Sequence, residues 1–136
     1  MATVRGTIFI VDDTPIDQEI MSKSLSKYNF ETVKFSSAQD ALRELETIKP
    51  VAVVTDVLMP KVDGIEFIRL MRQRMYKGLI VAISSGGEFN NIDSIKYAVI
   101  SGADFGLKKQ QDLVNIGSII ASELDGPSAA NKNFFR

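Results

Sequence analysis

Acidic, hydroxyl and lysine side chains follow the apolar runs of this chain, and these side-chain types handle phosphate groups and hard cations. The set comprises three carboxylates, one hydroxyl and two ammonium groups: Asp12, Asp13, Asp56, Ser84, Lys108 and Lys109. Each has an ordinary structural explanation when taken singly. An Asp after a strand is often a helix cap, a Ser-Gly segment is often a turn, and a Lys pair is often solvated surface. The occurrence of all six residues at the ends of apolar runs favours a functional site over six separate structural roles.

That chemistry depends on whether the apolar runs are parallel strands of one sheet, because ligands then bind outside the carboxyl ends of the strands. Three converging carboxylates would repel one another unless a cation lay among them. A chain without Cys or His offers only oxygen ligands, which favour Mg²⁺. A carboxylate beside Mg²⁺, with an ammonium and a hydroxyl opposite, is suited to phosphoryl transfer onto the carboxylate itself.

The elements that would position these residues alternate along the chain. Three β-branched-rich runs without polar alternation, at residues 7–11, 51–54 and 79–83, are typical of strands buried on both faces of a parallel sheet. Residues 31–35 and 103–108 are weaker strand candidates. Five helical patterns lie between and after them: one starting at Thr14-Pro15, one from Ser37 to Lys49-Pro50, one after Asp63-Gly64, one over 91–101 and one over 112–124.

Five strands and five helices in strict alternation predict an α/β doubly wound parallel sheet with right-handed crossovers. We expect one domain over residues 1–125, followed by a flexible tail over 126–136 and no effector domain, because the tail holds Gly126-Pro127 and small polar residues.

Composition excludes several classes of protein. The chain has 136 residues with 45% hydrophobic and 24% charged side chains, which is typical of a globular domain. The absence of Cys and His excludes disulfide scaffolds, thiolate zinc sites and Ser-His-Asp catalysis. A net charge of -1 gives no electrostatic reason to bind nucleic acid. The absence of a leader or a long apolar segment predicts a cytoplasmic protein that does not insert into a membrane.

The chain resembles the response regulator receiver domain of two-component signalling, in the manner of a stand-alone, chemotaxis-regulator-like receiver. The resemblance runs from about residue 8 to 124. It rests on Val11-Asp12-Asp13, on residues 56–60 (DVLMP) followed by Asp63-Gly64, on Ser84, and on Gly102-Ala103-Asp104 leading to a Lys. It implies the flavodoxin-like strand order 2-1-3-4-5.

The resemblance also implies a role for each residue of the set. Asp56 would be the phospho-acceptor and Ser84 the hydroxyl that contacts the phosphoryl group. Asp13 would bind Mg²⁺ directly, Asp12 would hold a metal-bound water, and Asp56 and the Leu58 backbone carbonyl would complete the protein ligands. In the family the ion-pairing Lys stands seven residues after the Gly of the Gly-Ala-Asp turn, which selects Lys109, with Lys108 in reserve.

Two positions depart from the family pattern. Gln110 replaces the Pro that usually follows the Lys, where a cis peptide is common. A cis bond before a non-proline residue costs about 2.5–4 kcal/mol, so we expect a trans loop and a displaced Lys109. Gly106 stands where many receivers carry a rotating Tyr or Phe. Phe105 cannot replace that ring, because neighbouring strand residues point to opposite faces. The loop from Ser84 to Asn91, hinged at Gly86-Gly87, is the expected route for the signal.

These observations predict a receiver domain that takes a phosphoryl group from the phosphohistidine of a sensor kinase or phosphotransfer protein and changes its binding surface for a downstream protein. It is not expected to be an enzyme beyond its own phosphorylation and dephosphorylation at Asp56. The alternative is a degenerate receiver that acts through protein contacts without phosphorylation. A small phosphohydrolase is disfavoured because Leu58 stands where its second acid would be. A mononucleotide binder is disfavoured because no Gly-rich phosphate loop follows the first strand.

Overall fold

A five-stranded parallel sheet in the order β2-β1-β3-β4-β5 forms the centre of the molecule in a computed structural model. The structure describes residues 3–57, 63–85 and 91–126, with only the backbone of 91–93. The strands are β1 (Gly6–Val11), β2 (Phe30–Phe35), β3 (Ala52–Asp56), β4 (Leu79–Ser84) and β5 (Phe105–Lys108). The predicted α/β fold and its strand order are confirmed.

Five helices connect and cover the strands: α1 (Pro15–Ser26), α2 (Ala38–Ile48), α3 (Gly64–Gln73), α4 (Asn91–Ser101) and α5 (Ile116–Asp125). Two of their starts follow the sequence signals directly. The Ser37 hydroxyl accepts a hydrogen bond from the Asp40 backbone N–H at 3.2 Å, and the Asp63 carboxylate accepts one from Glu66 at 2.8 Å. Such caps satisfy N–H groups that have no partner within the helix.

The last helical region is broken where the sequence predicts one helix over 112–124. A helical turn at Lys109–Asp112 and a 3₁₀ turn at Leu113–Asn115 precede α5. The break has a physical cause in Ser24 of α1. Its hydroxyl donates to the Val114 carbonyl at 3.0 Å and accepts from the Gly117 N–H at 2.8 Å, so that it binds both sides of the junction.

The core lies in two layers, one on each face of the sheet, because alternate residues of a strand point to opposite faces. Phe9 and Val11 of β1 pack with α2, α3 and α4, whereas Ile8 and Ile10 pack with α1 and α5. Every residue of β3 is buried, as expected for a central parallel strand.

The strand register brings the ends of four strands to one edge of the sheet. Val11 pairs with Thr55, Asp56 pairs with Ile83, and Ser84 pairs with Lys108. The residues that follow or close β1, β3, β4 and β5 therefore meet at that edge. No helix in the described part of the chain is long and apolar enough to cross a bilayer.

Candidate functional site

Three carboxylates meet at the carboxyl edge of the sheet, as the sequence predicts. One carboxylate oxygen from each of Asp12, Asp13 and Asp56 lies within 4.8 Å of the others. Asp12 is fully buried and Asp56 is 4% exposed, whereas Asp13 is exposed. Two buried carboxylates and one exposed carboxylate thus form an acidic cluster that reaches solvent at Asp13.

Backbone and amide contacts fix the position of Asp12. Its backbone N–H donates to the Phe35 carbonyl at 3.0 Å, and its Oδ1 accepts from the Thr14 N–H at 2.9 Å. The Gln18 amide of α1 donates to the Asp12 carbonyl at 2.6 Å and to the Phe35 carbonyl at 3.2 Å. Gln18 thus joins the ends of β1 and β2 to the first helix.

The segment after Asp56 is held by a close approach of α3. The Val57 N–H donates to the Ile83 carbonyl at 3.0 Å, and the Gly64 N–H donates to the Val57 carbonyl at 3.1 Å. A Cβ on Gly64 would lie 1.9 Å from the Asp56 carbonyl oxygen, so only glycine fits at this position. The Asp63-Gly64 pair of the sequence therefore caps α3 and lets it pack against the end of β3.

Lys109 supplies positive charge to the cluster. Its Nζ lies 2.8 Å from Asp12 Oδ2 and 3.2 Å from Asp56 Oδ2. The described peptide bonds include no cis bond, so the Lys109–Gln110 bond is trans, as expected. The expected displacement of Lys109 is wrong, because the helical turn that begins at Lys109 directs its ammonium into the carboxylates.

The charge state of Lys109 follows from two opposing effects. Burial disfavours the ammonium form, but the close contacts with the Asp12 and Asp17 carboxylates and the charge of Asp56 outweigh burial and raise the pKa of Lys109 above its usual value. Lys109 is therefore a fixed positive charge at physiological pH.

Asp17 and Gln18 belong to the site but were missed by the sequence reasoning. Asp17 Oδ2 lies 2.8 Å from Lys109 Nζ, although 92 positions separate the residues. An acid in the first turn of a helix already has an explanation in the helix dipole, so sequence alone gave no signal for this contact. Gln18 stands in the same turn and likewise carries no motif.

Ser84 closes β4 and is buried, with 1% exposure. Its hydroxyl donates to the Ser85 carbonyl at the long distance of 3.4 Å. Its strand neighbour in the register is Lys108 on one side, and Asp56 pairs with the preceding residue Ile83 on the other. Ser84 therefore lies at the same sheet edge as the acidic cluster.

The donor set fits a hard cation. The trio offers carboxylate oxygens alone, which suit Mg²⁺. Asp12 Oδ2 is buried and accepts no hydrogen bond of good geometry among the described residues, although the Lys109 ammonium lies 2.8 Å from it. A buried carboxylate oxygen in that situation is a natural partner for a further positive charge. The Leu58 carbonyl, the remaining predicted ligand, lies outside the described residues.

Gly106 stands where many receivers carry a Tyr or Phe, and a side chain from α4 occupies the space beside it. A Cβ on Gly106 would lie 2.3 Å from the Cγ2 atom of Ile95 in α4, so the Ile95 side chain covers the strand there. Phe105 is buried on the opposite face with Ile116, as strand alternation predicts. The proposed hinge at Gly86-Gly87 lies outside the described residues.

Comparisons with known proteins agree with this geometry. Residues 8–121 match the family model of the response regulator receiver domain. The chain is 29% identical over 118 residues to the DNA-binding transcriptional activator EvgA of Escherichia coli K12, covering 86% of this chain and 56% of EvgA. It is 27% identical over 132 residues to the alkaline phosphatase synthesis transcriptional regulatory protein PhoP of Bacillus subtilis, covering 93% of this chain and 53% of PhoP. The chain thus spans about half the length of these curated relatives.

Solved structures share the fold. Full-length FixJ from B. japonicum superposes with a TM-score of 0.78 at 27% identity, covering 88% of this chain and 58% of FixJ. The isolated REC domain of RcsB from Salmonella enterica serovar Typhimurium, solved with phosphomimetic BeF₃⁻, superposes with a TM-score of 0.75 at 21% identity, covering 90% of this chain and 91% of that domain.

Proposed function

Because the chain belongs to the response regulator receiver domain family, a signalling module rather than an enzyme, we propose that Asp56 accepts a phosphoryl group and that this modification changes the protein-binding surface. The observation that carries the proposal is the surroundings of Asp56. It closes the central strand, lies within 4.8 Å of two further carboxylates and is 3.2 Å from the Lys109 ammonium.

Phosphorylation transfers the group from nitrogen to oxygen. The Asp56 carboxylate attacks the phosphorus of a phosphohistidine on a partner protein, a P–O bond forms and the P–N bond breaks. The histidine nitrogen leaves with the electron pair and takes up a proton from solvent. Hydrolysis later cleaves the P–O bond by attack of water on phosphorus, which restores the carboxylate and releases inorganic phosphate.

The chain's own residues stabilise the added charge. The Lys109 ammonium pairs with a phosphoryl oxygen, and the Ser84 hydroxyl donates a hydrogen bond to another. Asp13 and Asp56 would bind Mg²⁺ directly and Asp12 would hold a metal-bound water, with the Leu58 carbonyl as a further proposed ligand. Bound Mg²⁺ supplies positive charge that offsets the charge of the phosphoryl oxygens.

The partners are proposed by class alone. Receiver domains accept phosphoryl groups from histidine kinases, so a sensor kinase or a phosphotransfer protein is the proposed donor. A downstream protein would read the altered surface. The relatives EvgA and PhoP are named as a DNA-binding activator and a transcriptional regulatory protein. The matched part of those relatives is about half of their length, so the proposed function includes no DNA binding. The cytoplasm stays the predicted compartment.

The Asp56→Asn variant tests the proposal. An amide keeps the size of the side chain but is a poor nucleophile. We expect wild type to acquire acid-labile, hydroxylamine-sensitive phosphate from a small phosphodonor such as acetyl phosphate only with Mg²⁺. We expect Asp56→Asn to acquire none, while its free energy of unfolding in urea stays within about 0.5 kcal/mol of wild type or rises above it.

Asp63→Asn is the matched control, because it makes the same chemical change to the cap of α3 outside the acidic cluster. It should be phosphorylated like wild type. Undiminished labelling of Asp56→Asn would assign the phosphate to another residue. Absence of labelling in wild type with Mg²⁺ would favour the degenerate receiver that acts through protein contacts alone.

A further inference from the structure

Asp17 adds a fourth carboxylate to the site, and neither phosphoryl acceptance nor metal binding uses it. It lies in the first turn of α1, and its Oδ2 is 2.8 Å from Lys109 Nζ. Its side chain is 22% exposed, whereas the side chains of Asp12 and Asp56 are 0% and 5% exposed. The compact trio of carboxylates at the site consists of Asp12, Asp13 and Asp56, without Asp17.

Lys109 donates hydrogen bonds to Asp17 and Asp56 and makes an ion pair with Asp12. An ammonium carries three N–H donors. Three carboxylates lie around Nζ: Asp12 at 2.8 Å, Asp17 at 2.8 Å and Asp56 at 3.2 Å. A phosphoryl group on Asp56 brings further negatively charged oxygens to the same ammonium, so that it competes with the contacts already present.

The Asp17 contact is the one that can be released. Asp12 is fully buried, and a carboxylate that loses its cation inside a protein is strongly destabilised. The contact of Lys109 with Asp56 passes to the phosphoryl group that Asp56 then carries. Asp17 is partly exposed on a helix surface, so that water can replace the ammonium and the α1 N-terminus still favours its negative charge.

We propose that Asp17 is a positioning residue that holds Lys109 in the unphosphorylated site and opposes the phosphoryl group at Asp56. This inference rests on the proposed function of Asp56. Two effects of Asp17 act in the same direction. It competes with the phosphoryl group for the Lys109 ammonium, and its charge repels the oxygens of that group. Asp17 therefore sets how readily the site changes from its resting to its phosphorylated form.

Removing the Asp17 charge should change the affinity for a phosphoryl analogue and the affinity for Mg²⁺ in different ways. Asp17→Asn weakens the hold on the Lys109 ammonium and removes a negative charge, so the site should bind a phosphoryl analogue more tightly. The Lys109 ammonium then pairs more fully with Asp12 and Asp56, which belong to the carboxylate trio that would hold the metal. Mg²⁺ affinity without the analogue should accordingly stay unchanged or fall. A purely structural role for Asp17 would weaken both.

The experiment measures binding of beryllofluoride at saturating Mg²⁺ by amide NMR titration of the full chain. We expect Asp17→Asn to lower the Kd for beryllofluoride about tenfold, the size of one partly screened charge at close range. Asp17→Glu keeps the charge and should return the Kd to within about threefold of wild type. A separate Mg²⁺ titration without beryllofluoride gives the metal affinity.

Glu19→Gln is the matched control. Glu19 lies on the same helix, makes an ion pair with Lys34 and carries the same charge, so its variant changes net charge equally without touching Lys109. It should leave the beryllofluoride Kd unchanged. A Kd for Asp17→Asn equal to that of Glu19→Gln, or weaker than wild type, would overturn the inference. Failure of wild type itself to bind beryllofluoride with Mg²⁺ would instead overturn the proposed function of Asp56, and the inference with it.

Discussion

At the scale of single residues, Lys109 holds together carboxylates that would otherwise repel one another. Its side chain is 10% exposed, and its ammonium contacts Asp12, Asp17 and Asp56. We expect Lys109→Ala to lower the free energy of unfolding of the metal-free protein by about 2 kcal/mol, since the buried carboxylates lose their cation. We also expect the variant to bind beryllofluoride at least about tenfold more weakly than wild type. Urea denaturation and NMR titration measure the two effects.

Lys108→Ala is the control for this substitution, because it removes the adjacent ammonium and leaves the Lys109 contacts in place. It should change both quantities little. Equal effects of the two substitutions would show that charge near the cluster matters and that the particular contacts of Lys109 do not.

Asp13 has the opposite expected effect on the metal-free protein. It is the exposed member of the carboxylate trio, and its side chain caps no helix among the residues that the structure describes. Asp13→Asn should leave the metal-free stability unchanged or higher, because it relieves repulsion, and should weaken Mg²⁺ binding at least about tenfold. A large loss of metal-free stability with intact Mg²⁺ affinity would identify Asp13 as a structural residue instead.

At the scale of elements, α4 and β5 are fitted to each other at Gly106. A Cβ there would lie 2.3 Å from the Ile95 side chain, which is itself fully buried. We expect Gly106→Ala to destabilise the protein by about 1–3 kcal/mol through overpacking. Ile95→Ala should cost about 2–5 kcal/mol through loss of a buried side chain. The double variant should cost clearly less than the sum, because each change creates or uses the same space. Additive values from urea denaturation would show that the two positions do not share a contact.

The elements also show how far sequence reasoning reaches. The apolar runs predicted the central strands and their burial, because an apolar run rich in β-branched residues is typical of a strand buried on both faces of a parallel sheet. The strand at residues 103–108 was predicted too long. Ala103 and Asp104 form a turn instead, in which the Asp104 carboxylate accepts from the Ile80 N–H at 2.8 Å. Both errors involve contacts between residues that are far apart in the sequence. The break before α5, which the sequence analysis missed, depends on Ser24, and Ser24 is 90 positions from Val114.

In the candidate site, too, the residues at strand ends were predictable from the sequence, whereas the contacts of long side chains were not. Strand ends are local features, and topology gathers them, so the grouping of Asp12, Asp13 and Asp56 was predictable. The direction of a long side chain is set by several neighbours at once. The expected displacement of Lys109 was therefore wrong, and its contact with Asp17 on α1 was not predicted.

At the scale of the whole molecule, the acidic edge makes stability depend on bound cation. Any ligand that binds the folded state alone stabilises it by RT ln(1 + [L]/Kd), which is about 2.7 kcal/mol at 100 times Kd. We expect Mg²⁺ at that excess to raise the free energy of unfolding of wild type by this amount, seen as a higher urea midpoint, and a chelator to reverse the gain. The slope of unfolding free energy against urea should not change, because it reflects the surface exposed on unfolding. Asp13→Asn, given the same total Mg²⁺, should gain at most about half as much, since a tenfold weaker Kd subtracts about 1.4 kcal/mol. An equal gain for both proteins would place the stabilising Mg²⁺ away from this edge of the sheet.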